Sequence, residues 1–448
     1  MIEFGNDATG AAVKPAGARC IVVHPHFYRE PEAKLRRDVE ACLEEAVGLS
    51  AAIDLDIADA QIVKVSKPRP ATLLGKGGVD LIAETIEAHR ESDAPIELVV
   101  FDGALSPIQQ RNLEKDWKVK VIDRTGLILE IFGERAKTKE GRLQVELASL
   151  TFQRSRLVRS WTHLERQRGG HGFMGGPGER QIEADRRMID DRIVRIKKKL
   201  EEVRRTRELH RKARRKVPFP VVALVGYTNA GKSTLFNSLT RADVMAEDQL
   251  FATLDPTMRR LDLPSGRTVI LSDTVGFVSS LPHELVAAFH ATLEEVQEAN
   301  IILHVRDISH VDTVAQKEDV EAVLAELDID VEQQNNVIEV QNKIDLLDVD
   351  QKAQLANQGG RAQTPCVGVS ALTGEGRESL LEAIDALMRE GMDVHHVHLA
   401  PSEGAEMSWL YSHGEVVERR DDPETGYIDL SVRLSPANSE RYRQKFHR

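Results

Sequence analysis

The run Gly226-Tyr227-Thr228-Asn229-Ala230-Gly231-Lys232-Ser233 follows the apolar stretch Val221–Val225 and precedes Thr234-Leu235, where a helical pattern begins. This G-x-x-x-x-G-K-S spacing, set between a strand and a helix, is a phosphate-binding loop. Its glycines let successive backbone N–H groups wrap a β-phosphate, and the helix N-terminus adds the positive end of its dipole. Lys232 is expected to bridge β- and γ-phosphate oxygens, and the Ser233 hydroxyl to ligate Mg2+. At average residue usage the four fixed positions recur by chance in roughly one chain of this length in a hundred. The flanking elements make coincidence rarer still.

Three further pieces follow in order, each at the C-terminal end of an expected strand. Asp273-Thr274-Val275-Gly276 ends Thr268–Ser272, where Asp273 can hold Mg2+ through water and the Gly276 N–H can sense a γ-phosphate. Asn342-Lys343-Ile344-Asp345 ends Val337–Gln341, and Asp345 can accept from the N1–H and 2-amino groups of guanine together. Adenine presents neither donor. Ser370-Ala371 follows Cys366–Val369, where the Ala371 N–H can donate to guanine O6. Each short motif alone is weak; the ordered set points to GTP as substrate, hydrolysed to GDP and phosphate.

The segment Phe251-Ala252-Thr253-Leu254-Asp255-Pro256-Thr257 lies where a switch loop is expected. Thr253 is the better candidate to complete the Mg2+ shell, with Thr257 as its rival. The catalytic set is therefore Lys232, Thr253 and Gly276, and the metal donors are Ser233, Thr253 and Asp273. After Gly276 comes Phe277, where a water-orienting Gln is common in GTPases. Phenylalanine cannot polarise a water, so intrinsic turnover is expected to be slow, with a partner surface supplying the missing group. Asn229 leaves a second route open, coordination of a monovalent cation such as K+ beside the phosphates.

The elements that must carry these groups read as α/β. Residues 18–138 alternate strands (Ala18–His24, Gln61–Val65, Ile96–Phe101, Val119–Ile122) with helices (Pro31–Val47, Val79–His89, from Ser106, from Thr125), which indicates a parallel sheet. Gly75-Lys76-Gly77-Gly78 lacks phosphate-loop spacing and reads first as a turn, with Lys76 as a phosphate contact the lesser alternative. Residues 139–217 change period: Leu143, Leu147, Leu150, Arg154, Leu157, Trp161 and Leu164 form one a/d seam. A second runs through Ile182, Ile189, Ile193, Ile196, Leu200 and Val203. Between them six glycines in ten residues, Gly169–Gly178, with Pro177, stop both helices, so an antiparallel hairpin with a pliant tip is expected. Arms of about 25 residues would reach roughly 40 Å. Residues 218–390 return to strand–helix alternation, a doubly wound P-loop GTPase domain. Residues 391–448 suggest a small α+β module, and 1–17 a flexible N-terminus.

Charge separates these parts. The net charge is −12 over 448 residues, yet Thr151–Pro220 holds 21 Lys and Arg against 9 Asp and Glu, while Ile301–Asp350 holds 13 acids and 3 bases. A basic arm on an acidic body suits a polyanion such as RNA. Aromatics at 4% weaken any base-stacking platform. Cys20, Cys42 and Cys366 are odd in number and lack metal-ligand spacing, as reduced thiols do. No apolar run reaches the ~18 residues of a membrane span and no secretion signal is evident, so the cytoplasm is expected, with partial association at a membrane surface left open.

Gly226–Leu235, Phe251–Thr257 and Asp273–Phe277 resemble the Obg–HflX group of translational GTPases. The stretches Asp123-Arg124-Thr125, Glu140–Leu147, Gly176-Pro177-Gly178-Glu179 and Asp185-Arg186-Arg187 are similar to the HflX family itself. The resemblance covers about residues 18–390. It implies a monomer that binds the large ribosomal subunit and its rRNA, with the hairpin loop directed at the peptidyl-transferase region, and that splits or rescues ribosomes under stress such as heat. Two positions depart from the family: Met174-Gly175 stands where an Arg is common, and Met258 where a Thr is common. An ATP-dependent RNA remodeller with a second nucleotide site in the N-terminal unit is the alternative. A protein-interaction regulator acting through the acidic 301–350 surface is a third reading.

Overall fold

The computed structural model describes residues 17–27, 37–92, 94–167, 177–214, 219–240, 251, 257–279, 295–326, 329, 336–352, 355, 364–389, 393–423, 425–434 and 436–446. For residues 158–167, 177–182, 204, 206–214, 393, 436 and 437 it describes the backbone alone. The chain divides into two compact units, Met1–Asp262 with Arg267–Leu380, and Leu263–Gly266 with Leu381–Arg448.

The first sheet is four-stranded and parallel, in the order β2 (Asp56–Val65), β1 (Arg19–Phe27), β3 (Leu98–Phe101), β4 (Lys120–Asp123). Its central strands bear continuous apolar runs because helices cover both faces. These helices are α1 (Val39–Ala51), α2 (Lys76–Glu91), α3 (Pro107–Trp117) and α4 (Arg124–Arg135). Local chemistry fixes their starts. Asp38 caps α1, Ser106 and Gln109 close a capping box on α3 with Pro107 in its first turn, and Asp123 caps α4. The part of the expected Pro31–Val47 helix at residues 31–36 lies outside the described residues; the described helix begins after Asp38. The glycine cluster differs from expectation. Gly75 is the N-cap of α2, and Lys76, Gly77 and Gly78 are its first turn. The reason is close packing: a Cβ on Gly78 would lie 2.7 Å from Val63 Cγ1 of β2.

The hairpin is longer than expected, with α5 (Lys139–Gln167) of 29 residues and α6 (Pro177–Arg214) of 38. At 1.5 Å per residue these span about 44 Å and 57 Å. Pro177 and Gly178, expected in the tip, open α6, where a proline at the first position loses no hydrogen bond. Leu143, Leu150, Ile193, Ile196 and Leu200 form the buried seam, with Leu147, Ile189 and Val203 against it. Arg154, the charged position in the seam, pairs with Asp190 at 2.9 Å. The side chains of Trp161, Leu164 and Ile182, and the tip 168–176, lie outside the described residues.

The second sheet has the order β10 (Cys366–Gly368), β9 (Val337–Asn342), β8 (Ile301–Asp307), β5 (Val221–Gly226), β7 (Thr268–Asp273), β6 (Thr257–Asp262). It is parallel except for β6, which pairs antiparallel with β7. Helices α7 (Lys232–Thr240), α8 (Thr313–Glu326) and α9 (Arg377–Arg389) complete the α/β alternation. Buried side chains of α1, α4 and β1 form one continuous cluster with Ala223, Val225, Tyr227, Phe251, Val275 and Phe277. Phe132 of α4 meets Phe251 edge-to-face, with centroids 4.7 Å apart. The second unit is α+β: an antiparallel sheet of β11 (Asp393–Leu399), β13 (Ile428–Leu434) and β12 (Glu415–Asp421), with α10 (Gly404–His413) and α11 (Pro436–Phe446). Among the described residues no helix is long and apolar enough to cross a membrane.

Candidate active site

The crossing of β5 into α7 sets the phosphate loop at the C-terminal edge of the sheet, where strand order turns outward on both sides. Two glycines are obligatory there. Gly226 has φ +154° and a Cβ would lie 2.1 Å from Val305 O; Gly231 has φ +88° and a Cβ would lie 2.2 Å from Asn342 Nδ2. Asn229 holds φ 58° between them.

Lys232 is 6% exposed, and its Nζ donates to Gly226 O at 3.0 Å and Tyr227 O at 2.7 Å. The ammonium is thus held by loop carbonyls rather than extended along the loop. Burial lowers its pKa to about 8, and Asp273 acts against that fall. Ser233 Oγ donates to Asp273 Oδ2 at 2.7 Å. Two hard oxygen donors at one point are the donor set Mg2+ prefers. Thr274 Oγ1 donates to Leu224 O at 2.5 Å, Val275 packs in the core, and Thr228 Oγ1 is buried without a hydrogen bond among the described residues. Thr228 N–H donates to Phe277 O at 2.7 Å and Phe277 N–H to Gly226 O at 3.1 Å. The stretch after Asp273 is therefore zipped to the phosphate loop.

Asn342 joins the phosphate loop to the base-side loop: its Nδ2 donates to Ala230 O at 2.8 Å, and its Oδ1 accepts from Ala371 N–H at 3.0 Å. Ala371 N–H, expected at guanine O6, is engaged by Asn342. Lys343, at φ 65°, pairs with Asp307 at 2.7 Å. Asp345 sits half-buried in a 3-10 turn, and Ser370 Oγ accepts from Thr373 N–H at 3.1 Å. Of the switch segment, Ala252, Thr253, Leu254 and Asp255 lie outside the described residues. Phe251 is buried against Phe132, so its side chain serves packing; Thr257 opens β6 opposite Asp273.

Residues 40–133 match a family described as the N-terminal part of a GTP-binding GTPase, and 135–214 its middle region. Residues 221–343 match a 50S ribosome-binding GTPase family, and 354–447 the HflX C-terminal domain. The GTPase HflX of Magnetococcus marinus is 51% identical over 91% of both chains. The chain belongs to the HflX family. The Escherichia coli GTPase HflX is 43% identical over 94% of both chains. A GTP-binding protein from the archaeon Sulfolobus solfataricus, solved in complex with GDP, has a TM-score of 0.43 and 22% identity over 82% of this chain and 98% of that one. As an HflX GTPase the chain binds and hydrolyses GTP, and such domains generally use Mg2+.

One part of the site escaped the sequence reading. Tyr227 Oη accepts from Ser279 N–H at 2.8 Å and from Arg37 at 3.3 Å, and donates to Glu45 Oε2 at 2.7 Å. Arg37 also pairs with Asp319, and Arg124 with Glu45 and, at 2.5 Å, Asp102. Asp102 also meets His24 at 2.7 Å. Burial works against the Asp102 charge, but Arg124 and His24 hold its carboxyl below the usual range. The adjacent charges Asp123-Arg124 were visible in sequence, but nothing local reveals that they face opposite partners.

Proposed function

We propose that this GTPase is a switch that docks on the large ribosomal subunit and its rRNA through the hairpin and dissociates or rescues ribosomes under stress. The observation that carries the reading is the outward face of α6. Arg195, Lys197, Lys198, Lys199 and Arg205 are exposed, while Ile193, Ile196 and Leu200 turn into the seam. Such a rod neutralises backbone phosphates by counterion release, so binding should weaken steeply with salt. In the G domain, Lys232 and Gly276 act on the γ-phosphate, with Thr253 closing over it. Ser233 and Asp273, joined by Thr253, would hold Mg2+, which neutralises charge on the β- and γ-phosphates. Asp345 selects guanine, and Asn229 is the residue a K+ ion would use.

The protein works as a cytoplasmic monomer, and the ribosome supplies the group that Phe277 lacks. Sedimentation with large subunits in GDP, GTP or a non-hydrolysable analogue tests this. Triphosphate-dependent co-sedimentation is expected, abolished by charge reversal at Arg195, Lys197, Lys198 and Arg205 while GTP affinity is retained. Equal association in every nucleotide state refutes the switch.

A further inference from the structure

Two neighbouring residues at the β4–α4 junction hold opposite ends of the machine. Arg124, 7% exposed, donates to Ser279 Oγ at 3.0 Å, while Asp102 and Glu45 fix its guanidinium from behind. Ser279 is three residues beyond Gly276, and its N–H is held by Tyr227 of the phosphate loop. Asp123 faces the other way. It caps α4 through Gly126 N–H at 2.9 Å, accepts from Leu105 N–H at 3.3 Å and pairs with Arg156 of α5. Arg156 is itself fixed by Gln110 and Leu105 O, and its guanidinium lies 4.4 Å from the centre of the Phe152 ring.

The segment under this clamp has no slack. A Cβ on Gly276 would meet Thr228 Cγ2 at 2.8 Å and Lys232 Nζ at 3.0 Å, and Phe277 is bonded on both sides to the loop. A γ-phosphate engaging the Gly276 N–H needs space between Gly276 and Lys232, so the segment has to shift. Ser279 then moves relative to Arg124. Arg124 cannot follow freely while Asp102 and Glu45 grip it.

We infer that Arg124 and Ser279 are positioning residues for the phosphate-sensing segment, and that Asp123 and Arg156 pass its displacement to the middle of α5, the first arm of the hairpin. The inference rests on the reading of Gly276 as γ-phosphate sensor and adds the route by which that sensor reaches α5. Coupling of this kind is reciprocal: what loosens the Arg156 end must also change the preference for triphosphate over diphosphate.

The test uses the full-length protein without ribosomes. Ser279→Ala removes the Oγ acceptor and leaves the N–H to Tyr227, so it should raise affinity for a non-hydrolysable GTP analogue relative to GDP by roughly fivefold or more. Arg156→Gln should shift the same ratio in the same direction, and the double variant should fall short of the product of the two. Amide hydrogen exchange across residues 139–157 should differ between GDP and the analogue in wild type and lose that difference in Arg156→Gln. A merely structural role would lower both affinities equally, and that result overturns the relay, as does a ratio within twofold of wild type in either variant. If Arg156→Gln does not fold, Arg156→Lys, which keeps the charge and loses the planar fork, takes its place with the same criterion. A wild-type exchange difference that survives at α5 in the Arg156 variant fails the relay alone. Identical wild-type exchange in both nucleotides fails the sensor reading with it.

Discussion

Lys232 is a buried cation whose partners, in the structure, are two neutral carbonyls and a carboxylate already engaged by Ser233. Its ammonium titrates near 8 rather than its ordinary 10.5, because burial penalises the charge. A lysine depressed in this way binds fewer protons in the fold than in the unfolded chain between those two values. Its contribution to stability therefore rises with pH across that window. At 1.36 kcal/mol per pH unit, the gap corresponds to about 3 kcal/mol set against the fold below pH 8. On the proposed reading that Lys232 contacts the nucleotide phosphates, they reverse the balance by restoring a charged partner. Only the ammonium form serves them, so binding should take up a proton wherever the free lysine is neutral. Near pH 8 about half of the molecules are charged, and at pH 9 about a tenth, so GDP affinity should fall roughly tenfold from pH 7 to 9. Calorimetry of GDP binding in two buffers of different ionisation heat should register an uptake approaching half a proton at pH 8. Lys232→Met supplies the second arm. The variant should lose nucleotide binding yet resist denaturant better than wild type at pH 7, and the advantage should shrink as pH rises towards 10. Subtracting variant from wild type cancels the cysteines, whose thiols burial pushes up, to about 12 for Cys20. A GDP affinity flat from pH 7 to 9 with no proton uptake would falsify the account of Lys232.

Gly231→Ala forces a Cβ 2.2 Å from Asn342 Nδ2 at a left-handed φ of +88°. Strain of about 1–3 kcal/mol and loss of the Asn342–Ala230 bond should weaken nucleotide binding at least about tenfold in a fluorescent-nucleotide titration. Phe277→Gln should not speed intrinsic hydrolysis, because position 277 is 2% exposed and its side chain belongs to the core. It should instead lose roughly 2–4 kcal/mol in denaturation, and faster turnover would show that the side chain can reach the nucleotide. Arg124→Met removes the guanidinium that Asp102 and Glu45 share, leaving Asp102 to His24 and Glu45 to Arg37 and Tyr227, and should lose about 3 kcal/mol, whereas Arg124→Met with Asp102→Asn should recover part of that loss. Arg154→Leu removes a pair whose partners are 44% and 39% exposed, so its denaturation midpoint should reflect a change below about 1 kcal/mol.

What the sequence disclosed and what it hid divide by range. The phosphate loop, the helix start at Ser106 and the seam through Ile193, Ile196 and Leu200 are local: spacing of a few residues carries the physics, and the structure has them where spacing put them. The start of α2 inside its glycines was hidden, because the deciding contact is Gly78 with Val63, fifteen positions away on another element. Pro177 read as a breaker and is instead a helix starter, a difference set by which side of it the helix lies. Phe251 read with the nucleotide loop because an aromatic in a switch segment has no signature of its own; its partner Phe132 lies in a different sheet's helix. The charge network was least legible. Arg37, Glu45, Asp102, Arg124, Ser279 and Asp319 are ordinary residues separately, and only the fold makes them neighbours.

That network sits in an odd place for stability alone. The apolar cluster from Cys20 and Leu127 through Val225 and Phe277 already holds the first two sheets together, and it does so without direction. Buried ion pairs add little net stability, since desolvation consumes most of their attraction. What they add is register. Arg124 and Glu45 meet Ser279 and Tyr227 in one geometry, and any displacement of the segment after Gly276 breaks hydrogen bonds rather than sliding along a greasy surface. A contact that is stiff in one position and costly to leave is what turns a sub-ångström shift at a phosphate into two discrete arrangements. The apolar cluster gives the G domain a partner, and the charges fix that partner in one register.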